Sequence, residues 1–159
     1  VTVRPFNTYG PRQSTRAIIP TLISQALGNE KKIYIGSGHP KRDFTYVEDT
    51  VAGLCAATSE KAVAGEVYNL GTGESISVQM LANLILDIMG ISDIPIITSD
   101  GRIRPSKSEI DHLVSNNGKA KKTLEWAPGY SLTEGLQRTI QWFRKPENFR
   151  LYRHSEYHV

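Results

Sequence analysis

The first thirteen residues constrain this chain more than any later stretch. A largely apolar run, Val1 to Phe6, gives way to Asn7-Thr8-Tyr9-Gly10 and then Pro11-Arg12-Gln13. β-Branched and aromatic residues without helical spacing read as a buried strand, and the Asn followed by Gly-Pro ends it. Open α/β sheets bind ligands just outside the carboxyl ends of their strands, which is where this amide and its basic neighbours would lie. The run starts in what reads as mid-strand and without a Met, so further chain is expected upstream and the sequence reads as half of a larger protein.

At 159 residues the chain suits one domain, long enough to hide roughly 70% of its unfolded surface. Its 39% hydrophobic and 22% charged residues are ordinary for a globular protein. No apolar stretch approaches the roughly 18 residues that suggest a membrane span. No basic-then-apolar leader opens the sequence either. A soluble, cytoplasmic protein is expected. Cys55 is the single cysteine, which excludes an internal disulfide framework and fits a reducing compartment. It shares a helical pattern with Val51 and Leu54 and is expected to be a buried structural thiol.

The net charge of +3 is spread rather than gathered into a run. Small anionic ligands suit it; long polyanions do not require it. An RNA-binding reading would rest on the basic balance alone, without the aromatic and basic interleaving that nucleic-acid modules carry. Nucleic acid is therefore not expected as a partner.

Strand-like runs (Val1 to Phe6, Lys32 to Ile35, Phe44 to Val47, Glu66 to Leu70 and Pro95 to Thr98) alternate with helical ones, the pattern of an α/β fold. Ile18, Ile19, Leu22, Ile23, Ala26 and Leu27 mark a helix ended by Gly28. Val51, Leu54 and Cys55 mark a second, with Glu48 and Asp49 set against its N-terminal dipole. Leu81, Leu84, Ile85, Ile88 and Met89 form a third stripe closed by Gly90. A short helix follows over Ala120 to Trp126. Ser131-Leu132-Thr133-Glu134 is a capping-box sequence opening a last helix, whose Leu132, Leu136, Ile140 and Phe143 share a face. No linker divides residues 1–146, and 147–159, without a clear period, reads as a mobile or partner-bound tail.

Several side chains could carry chemistry. The Asn7 amide can donate to a phosphate or sugar oxygen without carrying charge, or it can cap its own turn; on the residue alone the two readings are level. Arg12, Arg16 and Arg42 each border a predicted strand end or helix start, and guanidinium forks grip diphosphate oxygens in pairs. Arg42 stands out because Lys41-Arg42-Asp43 runs directly into an apolar strand and a helix, which would hold it at an element boundary. Asp43 reads as structural, bonding backbone or an Arg. Tyr34 offers a ring face to a base, or packs half-buried on its strand.

Gly36-Ser37-Gly38 lacks the full dinucleotide fingerprint and reads as a turn, as does Gly71-Thr72-Gly73. His39, His112, His154 and His158 have no metal-ligand spacing with acidic or cysteine partners, so no metal is expected. No nucleophile elbow is present. The sequence also contains no complete glycine-rich dinucleotide loop and no Tyr-x-x-x-Lys pair.

Taken in order, Arg4-Pro5-Phe6-Asn7-Thr8-Tyr9-Gly10-Pro11, Arg42-Asp43-Phe44-Thr45-Tyr46-Val47-Glu48-Asp49, Tyr68-Asn69-Leu70-Gly71 and Arg104-Pro105-Ser106-Lys107-Ser108-Glu109 resemble the C-terminal half of extended short-chain dehydrogenase/reductases. The family is that of the NAD-dependent nucleotide-sugar epimerases and dehydratases. The resemblance implies a set of partial Rossmann-type sheet strands together with the small C-terminal substrate-binding subdomain. Asn7 matches the family's diphosphate- and sugar-contacting Asn, and Arg42 its diphosphate-binding Arg. Arg16 falls at the start of the helix that closes over the nucleotide, Tyr34 where the base is held, and Arg104 at a second basic contact. Pro5 matches the position whose backbone lies against the nicotinamide of NAD. The Arg-Pro-Ser-Lys-Ser-Glu variant leans toward 4-epimerases and 4,6-dehydratases of UDP-sugars.

Such enzymes oxidise the sugar at C4 by hydride transfer to NAD, with a Tyr as base and a Lys lowering its pKa. This chain has neither that pair nor the glycine loop. It is expected to bind a nucleotide sugar, to hold NAD weakly if at all, and to lack catalysis alone. A standalone binding or assembly module derived from the family is the alternative, with homodimerisation through the edge of the first strand. Incubated with NAD and a panel of nucleotide sugars, the purified chain is expected to give no turnover above background by NADH absorbance and product chromatography.

Overall fold

The computed structural model of the protein describes residues 1–28, 30–99, 101 and 109–152. The chain forms two compact units, each assembled from separated segments. The first contains Val1–Tyr9, Lys41–Ile76 and His112–Gly135; the second contains Gly10–Pro40, Ser77–Asp111 and Leu136–Val159.

In the first unit, β1 (Thr2–Pro5) lies parallel to β6 (Val67–Leu70), with Val3 opposite Tyr68 and Pro5 opposite Leu70. Between them the chain passes through β2 (Thr8–Tyr9), β4 (Lys41–Arg42), β5 (Thr45–Tyr46) and α2 (Val47–Ala56). β2 pairs in parallel with β5, and β4 with β9 (His112–Leu113). These two-residue strands carry no readable alternation in sequence. α4 (Gly118–Leu124) packs beside β6, and Ala57, Tyr68, Leu70, Ala120, Leu124 and Trp126 form one buried cluster.

Two expectations change here. β1 forms as expected, but its only hydrogen-bonded neighbour among the described residues is β6, and Thr2, Arg4 and Pro5 are exposed rather than buried. α2 also forms, yet it turns Asp49, Thr50 and Gly53 inward while Val51, Leu54 and Cys55 face out. The expectation of a buried Cys55 thiol is therefore wrong. The reason is Gly53: a Cβ there would stand 2.5 Å from Leu70 Cδ1. The missing side chain lets α2 lie on β6, and that closeness fixes which face points inward.

A second core of this unit is aromatic. Tyr9 sits edge-on to Phe44 and Tyr46, with ring centroids 6.4 and 5.7 Å away, and Tyr46 meets Tyr130 at 4.9 Å. The buried Tyr9 hydroxyl donates to the Leu132 carbonyl at 3.1 Å. Burial pushes its pKa far above the ordinary 10.0, and nearby Tyr46 and Asp49 push the same way.

The second unit is built from α1 (Ile18–Leu27), β3 (Ile33–Ile35), α3 (Val78–Met89) and β8 (Ile96–Thr98), with β3 and β8 parallel. Ile19, Leu22, Ile23, Leu81 and Ile85 are buried as their helical spacing dictates. α3 begins at Ser77, whose hydroxyl accepts from the Met80 N–H, and ends at Gly90 in the left-handed conformation (φ 72°), the arrangement in which glycine relieves the strain other residues would carry. β7 (Ile76–Ser77) straddles one of the points at which the chain passes from one unit to the other.

α5 (Leu132–Phe143) opens on the expected capping box: Ser131 N–H and Oγ both bond Glu134 Oε2, and Glu134 N–H donates to Ser131 Oγ. The start of the expected tail instead contains α6 (Pro146–Phe149), and Tyr152 packs on Phe143 with ring centroids 4.7 Å apart. Pro146 at the first helical position starts that turn. Residues 153–159 lie outside the described residues. Among the described residues no helix is long and apolar enough to cross a membrane.

Gly53→Ala is expected to destabilise the protein by about 1–3 kcal/mol through overpacking on Leu70, read as a lower midpoint in urea unfolding. Tyr9 supplies a pH dependence. The unfolded tyrosine ionises near 10.0 while the folded one holds its proton to higher pH. The unfolded state therefore binds fewer protons above that point, and stability falls as pH rises, by up to about 1.4 kcal/mol per pH unit. Tyr9→Phe is expected to remove that part of the alkaline slope in denaturant titrations between pH 8 and 11.

Candidate functional site

The sequence 41–49 builds the chemically richest part of the first unit. Asp43 is fully buried, and its carboxylate accepts four hydrogen bonds: Thr72 N–H (2.9 Å), Thr72 Oγ1 (2.7 Å), Gly73 N–H (2.9 Å) and Ser115 N–H (3.1 Å). A buried carboxylate needs such donors, because an uncompensated charge in the interior is strongly unfavourable. Asp43 is structural, as its sequence position suggested, and its partners are backbone and hydroxyl rather than an Arg. Asn117 Nδ2 ties the same turn by donating to the Gly71 carbonyl at 2.6 Å.

Asn7 joins this construction. Its Nδ2 donates to the Asp43 carbonyl at 2.9 Å, and its own carbonyl accepts the Thr45 N–H at 3.3 Å. Neither simple reading of Asn7 is complete: the amide does not cap its own turn but ties β2's approach to the segment directly after Arg42. One N–H and the side-chain oxygen of an amide remain for another partner. Arg42 lies in β4 opposite Leu113, half-buried, with Nη1 donating to the Lys41 carbonyl at 2.9 Å. It is held on a paired strand, one residue from the clamped carboxylate.

Asp49 repeats the device on α2. It is buried and accepts from Gly129 N–H (2.7 Å) and Tyr130 N–H (3.2 Å), while its backbone carbonyl accepts Trp126 Nε1 (3.0 Å). Tyr130 also bonds Glu48 on the helix's first turn. The two acids that the sequence set against the helix dipole thus fasten the 126–130 segment as well. Pro5 is exposed at the carboxyl end of β1, where Phe6 N–H continues the ladder to Leu70 O at 2.8 Å.

In the second unit, Tyr34 occupies the middle of β3, its ring outward and 39% exposed between the buried Ile33 and Ile35. Arg16 is exposed and precedes α1 by two residues rather than beginning it; the N-cap is Ala17. Nearby Arg12 adopts a left-handed backbone (φ 68°). Gly36-Ser37-Gly38 is a bend whose Gly38 carbonyl accepts the Gln79 N–H. It presents an acceptor to the start of α3, as a turn would and a phosphate cradle would not. Arg104 lies outside the described residues. Among the described residues no cluster of three metal-ligating side chains occurs.

A match to the family described as GDP-mannose 4,6 dehydratase spans residues 1–139. The chain belongs to the extended short-chain dehydrogenase/reductases of the NAD-dependent nucleotide-sugar epimerase/dehydratase family. It is 35% identical over 150 residues to a UDP-N-acetyl-alpha-D-glucosaminuronate decarboxylase of Bacillus cytotoxicus, covering 92% of this chain and 46% of that protein. Among solved structures it resembles UDP-glucose 4-epimerase of Thermotoga maritima, crystallised with UDP-glucose, at a TM-score of 0.78 and 32% identity. That match covers 90% of this chain and 45% of the epimerase. UDP-glucuronic acid 4-epimerase of Bacillus cereus, in complex with UDP-glucuronic acid and NAD, gives a TM-score of 0.78 and 32% identity, covering 96% of this chain and 46% of that one. The chain therefore spans about half the length of these epimerase/dehydratase family members.

The Asp43 clamp escapes sequence reasoning in its detail, since its donors lie up to 72 positions away. Asp43→Asn would turn an amide N–H toward donors. It is expected to destabilise the protein by about 2 kcal/mol or more. Glu48→Gln, at the exposed Tyr130 bond, is expected to stay under about 1 kcal/mol. Both are read from urea midpoints.

Proposed function

We propose that this chain is the nucleotide-sugar-holding portion of an NAD-dependent sugar 4-epimerase or 4,6-dehydratase, with a UDP-sugar as its ligand, and that it does not catalyse alone. One observation carries the reading: Asn7 bonds the Asp43 carbonyl, so a neutral amide and the adjacent Arg42 are held by the same clamped segment. Arg42 supplies the two-pronged guanidinium that diphosphate recognition favours. Asn7 supplies an uncharged donor and acceptor for a phosphate or sugar oxygen. Arg16 and Arg104 are assigned to further substrate contacts, and Tyr34 to the base.

NAD is the cofactor of the family. Pro5, exposed at the carboxyl end of β1, fits the position whose backbone would face a nicotinamide. The sequence has no glycine cradle or Tyr-x-x-x-Lys pair, so these residues do not fit a complete NAD site and no hydride step is assigned to them.

A second role is favoured by β1, whose exposed side leaves backbone groups for another strand. Such pairing would give a homodimer, read as a doubled mass in sedimentation that Val3→Pro abolishes.

The ligand assignment is tested by titration calorimetry with UDP-glucose and UDP-glucuronic acid. Arg42→Ala is expected to weaken binding about tenfold or more, the loss of a charge-assisted pair, whereas exposed Lys41→Ala changes it little. Equal affinities for wild type and Arg42→Ala would sink the assignment.

A further inference from the structure

Gln25 is 3% exposed, an unusual place for a long polar side chain, and it lies on α1 among Ile19, Leu22, Ile23 and Ala26. Its amide makes two bonds to a single residue: Nε2 donates to the Tyr34 carbonyl at 3.0 Å, and Oε1 accepts the Tyr34 N–H at 2.8 Å. In a parallel pair, alternate residues direct both backbone groups to the same neighbour. β3 meets β8 through Ile33 and Ile35, with Ile33 N–H to Pro95 O and Ser99 N–H to Ile35 O. The N–H and carbonyl of Tyr34 therefore point to the other edge, where Gln25 receives both.

The side-chain amide thus takes the place of one residue of a further strand. A Leu or Met at this position would fill the same space in the core but would leave two backbone groups without partners. A real strand would satisfy them but would extend the sheet past Tyr34. The amide does neither, so β3 ends the sheet with its polar groups satisfied and the ring of Tyr34 outward.

We infer that Gln25 is a positioning residue that fixes the backbone of Tyr34, so that the ring is preset to face the base of a nucleotide, and that this pair sets the preference for the base rather than for the phosphates. The inference rests on the nucleotide-sugar reading above and deepens it. A flat ring held at a fixed height offers a base a stacking face without the entropy of ordering a loop.

The test uses the full chain and three probes in calorimetry: UDP, ADP and inorganic pyrophosphate. Gln25→Leu is expected to raise the Kd for UDP at least about tenfold, or ~1.4 kcal/mol, while leaving the Kd for pyrophosphate within about twofold. Gln25→Glu keeps the acceptor for the Tyr34 N–H and loses the donor, and is expected to fall between. Tyr34→Ala should match Gln25→Leu, and the double variant should bind UDP no more weakly than Tyr34→Ala alone, because Gln25 acts through Tyr34. Amide exchange at Tyr34 by NMR should speed up in Gln25→Leu. If that variant fails to fold, Gln25→Glu and Tyr34→Ala decide by the same ratio of UDP to pyrophosphate affinity.

A lower melting temperature with an unchanged UDP-to-pyrophosphate ratio would overturn the inference and leave the nucleotide-sugar reading standing. A wild-type chain that binds neither UDP nor pyrophosphate would overturn both.

Discussion

The first unit depends on a buried carboxylate whose hydrogen-bond partners among the described residues are all neutral. Asp43 is enclosed by two backbone N–H groups from the 72–73 turn, the Thr72 hydroxyl and the Ser115 N–H. Each of these donors is neutral, so among the described residues the charge is stabilised by oriented dipoles. The arrangement joins three segments that are distant in the chain, and it sets the backbone from which Arg42 projects and to which Asn7 bonds. The backbone next to the basic side chain is thereby anchored by an acidic one.

Helix α2 shows how a second buried acid extends the same logic. Asp49 and the Trp126 indole together fix the 126–130 segment against the helix start. Gly53 then determines how close α2 can come to β6. The apolar residues Val51 and Leu54 are left facing outward, 52% and 45% exposed, because the inward face is occupied by Asp49, Thr50 and the bare Gly53. Polar satisfaction and backbone proximity outweigh the burial of two side chains here.

Much of the architecture is legible in the sequence for definite reasons. Helices α1 and α3 carry long apolar stripes and end at Gly28 and Gly90, and α5 has both halves of its capping box. The longer strands stand within a residue of their expected ends, because β-branched runs bounded by turn residues leave few alternatives. The two-residue strands β2, β4 and β9 are too short for any periodicity, and they exist because Asp43 and Asn7 bring their backbones together. The orientation of α2, and with it the exposure of Cys55, departs from the hydrophobic stripe because the Gly53 contact with Leu70 exists only in the fold. Of the candidate site, the structural role of Asp43 is legible from residue type and boundary position, and Asn7 and Arg42 are candidates on the same grounds. Gln25 was not, since a glutamine inside an apolar helical stripe signals nothing until its strand partner is known.

The spacing of the clamps has a consequence for how the molecule is made. Asp43 and Asp49 emerge from the ribosome well before several of their donors, since Ser115, Gly129 and Tyr130 lie from 72 to 81 positions later. Until those residues are synthesised, neither acid has its full set of donors, and water remains the better host for both charges. The two clamps of the first unit therefore close only once the chain through Tyr130 has been made.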